Sequence, residues 1–316
     1  MPDASRTLQP VPDGMIRPDE LPTFRAHARF QGVMRDYWEM AKPGISFFIV
    51  LTAAAGYFLA SGGAPDLTGM AAALVGIGLT AAGAGALNHF VERDVDARMV
   101  RTSGRPLPAE RVRPGAALLY GLGLGAAGTL LLLATVGLVP ATLAAASLLT
   151  YIFVYTPLKR RTPAVTLVGA VPGALPTLAG WTAAGAAVDA AALGLFGTVY
   201  FWQIPHFLAL AWIVRADYRA GGLRILTVED PDGRRTGRHA TLHAAALLAA
   251  STVPFVVGTV GWVYLVGMLL LGAWVLSGAV AFLRRPDNRT ARRLFLSSLG
   301  YVPGWLVLTL VDGLVA

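Results

Sequence analysis

The stretch NHFVERDVDARMVRTSGRP, Asn88 to Pro106, gathers amide, carboxylate and guanidinium groups directly behind an uncharged run, GMAAALVGIGLTAAGAGAL. On a helix, at about 100° per residue, Asn88, Glu92 and Asp96 fall within an arc of roughly 80°. One face then presents an amide and two carboxylates at steps of four. Hard oxygen donors of this kind suit Mg²⁺, which binds through a few carboxylates together with substrate phosphates. Asp94 lies on another face and is a weaker oxygen donor. Arg93 and Arg98 can pair with the acids, whereas Arg101 and Arg105, in RTSGRP, have the forked donors that grip phosphate oxygens. The bland alternative is a solvated loop at a membrane boundary. Against it stands the cost of ionisable groups near bilayer depth, which tend to mark function.

A second charged segment, WQIPHFLALAWIVRADYRAGGLR, supplies Asp217, and YTPLKRR supplies Lys159 and Arg160 from a third place in the chain. Two halves that each deliver acids to one side would place a site between them. Arg161, Arg284 and Arg285 read instead as topogenic anchors. Tyr151, Tyr155, Tyr200, Phe201 and Trp202 offer aromatic faces that can stabilise a cation, or else belong to interfacial belts and core packing. His206 sits within an apolar run behind Pro205, so it must face a cavity or a partner. A hydrogen bond to a neighbouring helix is one use for such an imidazole. His89 is a weaker candidate of the same kind. His239 and His243 read as parts of a loop.

The elements that carry these residues follow from composition. Of 316 residues, 55% are hydrophobic and 14% charged, with a mean hydropathy of +0.59. A soluble domain would carry roughly a quarter charged residues. Apolar runs long enough to span a bilayer recur near 44–61, 67–89, 114–134, 138–157, 163–184, 190–213, 242–260, 261–283 and 294–312. The expected fold is therefore an all-α integral membrane protein with nine transmembrane helices in a domain over 42–316. Residues 1–41, rich in proline and scattered charge, read as a disordered tail leading into an interfacial segment, MRDYWEMAKP. There is no apolar signal sequence. All 26 Lys and Arg fall in the tail or after even-numbered spans, which places the tail in the cytoplasm and the C-terminus outside. That sorting also explains the net charge of +8 without nucleic acid as a partner. Of the 18 acids, 15 lie on the same side, the exceptions being Asp66, Asp189 and Asp312. The absence of cysteine removes disulfides and thiolate chemistry. The run AAGAGA at 81–86 permits close helix approach. Pro172, Gly173 and Pro176 should bend the fifth span and free backbone groups that must find partners in a cavity.

Together NHFVERDVDARMVRTSGRPLP, YTPLKRRTP, PGALPTLAGW, WQIPHFLALAW, DYRAGGL and ARRLFLSSLGY resemble the UbiA superfamily of intramembrane prenyltransferases. Its hallmark is N-x-x-x-D-x-x-x-D after the second helix, matched here by Asn88, Glu92 and Asp96. The longer context resembles the branch that joins the farnesyl group of farnesyl diphosphate to a vinyl group of haem B, with addition of water. The resemblance implies nine helices around a central cavity and an Mg²⁺–diphosphate set of Asn88, Glu92, Asp96 and Asp217, with Asp94 weaker. It further implies that Arg101, Arg105, Lys159 and Arg160 hold the diphosphate and that His206 contacts haem. The expected setting is a bacterial cytoplasmic membrane, with haem A synthase as a partner that consumes the product. The chain departs from the family pattern at Gly221, where a second acid is common, at Arg224 and Thr227 in place of prolines, and at Val165 in place of Asn. An aromatic quinone precursor as acceptor stays open. So does an ion-coupled transporter, although its acids should lie mid-span.

Overall fold

Residues 22–315 are described by the structure, a computed structural model. They form α1 (Pro22–Met40), α2 (Pro43–Ala60), α3 (Leu67–Asp96), α4 (Pro114–Thr135), α5 (Leu138–Leu149), a π turn over Thr150–Tyr155, α6 (Thr156–Leu158), α7 (Val165–Ala183), α8 (Ala190–Ile213), the short α9 (Arg215–Ala220) and α10 (Leu226–Glu229), α11 (Arg234–Val256), α12 (Trp262–Arg284) and α13 (Asn288–Val315). Among the described residues nine helices are long and apolar enough to cross a membrane. They coincide with the nine expected spans, with shifted ends. The second span runs on through Asp96, so the acidic motif is helical. The seventh starts at Arg234 and the ninth at Asn288, both earlier than hydropathy suggests. Charged residues in a helical turn outside the apolar stretch are invisible to a hydropathy window.

The expected disordered tail is corrected over Pro22–Met40, which is helical; residues 1–21 lie outside the described residues. His239 and His243 are likewise not in a loop. They occupy the first turns of α11, with stacked rings, and His243 Nδ1 lies 2.7 Å from the His239 carbonyl.

Sequence chemistry sets the helix ends. Pro43 and Pro114 open α2 and α4, where a missing N–H costs nothing. The three acids remote from the charged face all cap helices. Asp66 accepts from the amides of Thr68 and Gly69, and Asp189 from that of Ala192. Buried Asp312, on α13, accepts from the amides of Gly261 and Tyr264 at the start of α12. A carboxylate at a helix N-terminus satisfies orphan donors and meets the positive end of the dipole.

Packing closes a ring. α3 lies on α4, α4 on α5, α5 on α7, α7 on α8, α8 on α11, α11 on α12, α12 on α13, α13 on α2 and α2 on α3. A Cβ added at Gly83 would run into the backbone of Gly121 and Gly125 on α4, so small residues set the α3–α4 distance. The two prolines of α7 sit inside a continuous helix. Pro176 leaves the Pro172 carbonyl without its usual donor, and the Ser147 hydroxyl supplies one at 2.6 Å. The partner is thus a side chain from the neighbouring span rather than a cavity. In the fourth span, Pro157 cannot donate within the helix. There the chain widens into the π turn, with the Thr156 amide and hydroxyl both donating to the Tyr151 carbonyl. Such turns favour functional positions, and this one carries Tyr151 and Tyr155.

Candidate active site

The last turns of α3 direct Asn88, Glu92 and Asp96 to one face, as the four-residue spacing requires. Asn88 and Asp96 are buried and Glu92 is partly so. Each meets a cation or polar group from elsewhere. Lys42 donates to Asn88 Oδ1, while Asn88 Nδ2 donates to the Thr156 hydroxyl at 3.2 Å. Lys159 Nζ stands 2.9 Å from Glu92 Oε1, with both side chains largely buried. Arg105 Nη1 lies 2.7 Å from Asp96 Oδ2. Tyr155 places its ring 4.6 Å from Lys159 Nζ, and Tyr151 lies 5.9 Å from Lys42 Nζ. Lys42 and Lys159 border the spans, and their surroundings act in opposite directions. Burial, then the Lys159 charge, pulls Lys42 down to about 7. Burial also opposes the charged form of Lys159, but Glu92 outweighs it, aided by hydrogen bonding, and holds Lys159 well above its ordinary value.

The second half of the molecule reaches the same place. Asp217, on α9, accepts the Arg101 backbone amide at 3.3 Å. Val95 and Met99 from the first segment pack with Ala211, Leu223 and Ile225 from the second. The Arg224 amide donates to the Lys159 carbonyl at 2.7 Å and so ties in the third segment. The departures from the family pattern acquire physical reasons here. A Cβ at Gly221 would stand 3.1 Å from Met99 and 3.3 Å from Val95, so a side chain there would require these neighbours to shift by a few tenths of an ångström. Val165 is buried in the same apolar cluster. Arg224 pairs with Glu229 at 2.7 Å. Nothing in the structure explains Thr227.

Not every expected residue joins. Asp94 is 77% exposed on another face, 3.7 Å from Arg93, and leaves the donor set for that reason. Arg160, Arg98 and Arg101 are exposed, Arg101 joining the site through its backbone amide. Tyr200 and Phe201 pack toward Phe196 and His243, away from the acids. Trp202 stacks on Phe48 and on His206. The His206 ring lies between Trp202 and Phe295, 4.9 and 4.8 Å between centroids, with Nδ1 3.0 Å from the Ser298 hydroxyl. That is the interhelical hydrogen bond expected as the alternative to haem ligation. His89 is buried, and its Nδ1 has no hydrogen-bond partner among the described residues.

Sequence reasoning missed Lys42 and Thr156. Lys42 stands at the junction of α1 and α2 in a left-handed conformation, φ 49°, and reads in the sequence as one more tail cation. Its only signal is its position directly before the proline that opens a span. Gly85 allows the junction to approach α3, since its Cβ would meet the Met40 and Ala41 carbonyls.

Among the described residues no three His, Asp or Glu side chains converge as a ready-made ion site. Yet the donor chemistry suits Mg²⁺: hard oxygens at Asn88, Glu92, Asp96 and Asp217, now satisfied by Lys42, Lys159, Arg105 and a backbone amide. Residues 49–300 match the model of the UbiA prenyltransferase family. The chain belongs to this family. Curated UbiA relatives include the protoheme IX farnesyltransferases of Solibacter usitatus, 41% identical over 88% of this chain and 99% of that protein, and of Salinibacter ruber, 42% identical over 88% and 98%. Solved structures of the same fold include a digeranylgeranylglyceryl phosphate synthase, 15% identical with a TM-score of 0.75 over 90% of this chain and 99% of that one. A UbiA homologue from Archaeoglobus fulgidus bound to GPP and Mg²⁺ is 15% identical, with a TM-score of 0.64 over 87% and 99%.

Proposed function

We propose that the chain transfers the farnesyl group of farnesyl diphosphate to a vinyl group of haem B, with addition of water, giving haem O and diphosphate. The observation that carries this reading is the alignment of Asn88, Glu92 and Asp96 on one face against Lys42, Lys159 and Arg105, with Asp217 holding the Arg101 backbone amide of the loop that follows. Relatives named for this reaction at about 40% identity over most of the chain support the choice of acceptor.

In this reading the allylic C–O bond breaks and its electron pair leaves with the diphosphate. The farnesyl carbon is then attacked by the vinyl group, and the carbon left electron-poor takes the hydroxyl of water and releases a proton. Lys42, Lys159, Arg101 and Arg105 hold the developing negative charge, and Tyr151 and Tyr155 present ring faces toward the developing positive charge. Arg160 is a peripheral contact. Asn88, Glu92, Asp96 and Asp217 would hold Mg²⁺, which supplies charge neutralisation of the diphosphate when bound. The same cations that neutralise these carboxylates are the ones that would grip the substrate. The apolar interior of the ring excludes water until the prenyl carbon has reacted. His206 is assigned to haem through Nε2, because Nδ1 is engaged by Ser298.

The test is incubation of the purified protein with labelled farnesyl diphosphate and either haem B or 4-hydroxybenzoate. Haem O is the expected product, lost with a chelator and restored by Mg²⁺. Glu92→Gln with Asp96→Asn should lower turnover by at least about 10²-fold. Prenylated 4-hydroxybenzoate without haem O would overturn the acceptor; full activity in the double variant would overturn the site.

A further inference from the structure

Arg111 lies outside the residues assigned above, yet its guanidinium uses all three of its nitrogens. Nε donates to Asp36 Oδ1 at 2.9 Å, Nη1 to the Gly104 carbonyl at 3.0 Å, and Nη2 stands 3.7 Å from Glu39 Oε2. The two acids belong to α1 and Gly104 to the loop between α3 and α4. Asp36 is 6% exposed, a carboxylate taken out of water and met by one cation. Glu110, with φ 57°, is one of two non-glycine residues in the left-handed region among those described. That strained turn immediately precedes Arg111.

The placement of Gly104 gives the contact meaning. It lies directly before Arg105, which pairs with Asp96, and three residues after Arg101, whose amide meets Asp217. The segment is held by turns rather than by a regular helix: the Arg105 amide donates to the Thr102 carbonyl and the Thr102 hydroxyl to that of Asp96. Arg111 is thus an external tie on the peptide that carries Arg101 and Arg105. A planar guanidinium can hold a carboxylate and a carbonyl together, which an ammonium cannot do at fixed geometry.

The other end of the tie is α1. Its inner face packs Tyr37 and Met40 against Phe90, Leu107, Val112 and Tyr120, with Tyr37 edge-on to Tyr120 at 4.9 Å. Met34 and Trp38, one turn apart, are 48% and 65% exposed, the pattern of a helix lying on a bilayer with an aromatic anchor.

We infer that Arg111 is a positioning residue. Anchored through Asp36 to a membrane-lying α1, it fixes the Gly104 carbonyl and so sets Arg101 and Arg105 for the diphosphate. This rests on the proposed diphosphate site but not on the identity of the acceptor. In Arg111→Ala the KM for farnesyl diphosphate should rise and kcat fall, together lowering kcat/KM for that substrate about tenfold, while the KM for haem changes by less than about threefold. Amide hydrogen exchange over residues 101–106 should accelerate, with the spans unaffected. Arg111→Lys should fall between wild type and Ala. Asp36→Asn should reproduce the effect in weaker form and covers the case that Arg111→Ala fails to fold. Glu39→Gln, at the long contact, should behave as wild type. Unchanged kcat/KM and unchanged loop exchange in Arg111→Ala or Asp36→Asn would overturn the proposal. Should wild type make no haem O, affinity for inorganic diphosphate with Mg²⁺ replaces kcat/KM: a tenfold loss in Arg111→Ala upholds the tie although the acceptor is wrong, and no loss sinks it.

Discussion

Lys42 and Asp94 illustrate how little residue type says about a role. Both are charged, and both lie within a few residues of a membrane boundary. Lys42 is turned inward onto Asn88 by a left-handed junction, whereas Asp94 points from the same helix as the motif into solvent. The expected consequences differ accordingly. Lys42→Met removes a buried cation from the diphosphate-facing group and should lower kcat/KM by about 10²-fold. Asp94→Asn should stay within about twofold of wild type, since an exposed contact at 3.7 Å contributes little. Steady-state kinetics with farnesyl diphosphate as the varied substrate checks both. The motif acids were legible because a spacing of four on one helix forces a shared face. Lys42 was not, because only a three-dimensional junction brings residue 42 to residue 88.

At the scale of elements, the termini and breaks of helices carry the specific interactions, and the apolar bodies carry length. Asp312 connects α13 to the first turn of α12 through two backbone amides, at 2.6 and 3.0 Å. Asp312→Ala should therefore destabilise the detergent-solubilised protein by about 1–2 kcal/mol, seen as a lower midpoint in thermal unfolding, without moving KM for either substrate. Ser147→Ala strips the donor from the carbonyl that Pro176 leaves open, and should cost about 1 kcal/mol by the same measurement. Hydropathy located all nine spans but misjudged where the second, seventh and ninth begin or end. Arg234, Arg235 and Arg238 are helical and charged, and an apolar average cannot count them. The caps at Asp66 and Asp189 could have been read from an acid just before an apolar run, as the handed asymmetry of helix ends demands. The cap at Asp312 could not, for it acts across two helices. Nor does sequence alone reveal that Gly221 packs closely against Met99 and Val95.

For the whole molecule, the sorting of charge predicts orientation. Among the described residues every Lys and Arg lies in α1, at its junction with α2 or in the segments that bound the even-numbered exits, and the opposite exits hold only Asp66, Asp189 and Asp312, each spent on a helix start. The positive-inside rule then sets the diphosphate face in the cytoplasm, where a water-soluble diphosphate head has access, and the turn after α7 outside. The absence of native cysteine makes this directly measurable. Ser103→Cys, exposed in the loop that carries Arg101 and Arg105, and Val188→Cys, exposed in the turn before α8, each give a chain with a single thiol. A membrane-impermeant maleimide added to intact cells should label the cysteine at 188 and leave that at 103 unlabelled. Permeabilised cells should label both, and prior farnesyl diphosphate with Mg²⁺ should slow labelling at 103 alone. Labelling of 103 from outside would reverse the topology and place the diphosphate face away from the cytoplasm. Labelling of 103 without 188 would invert the molecule with all nine crossings intact, whereas labelling of both from outside would require one of the three helices between them not to cross.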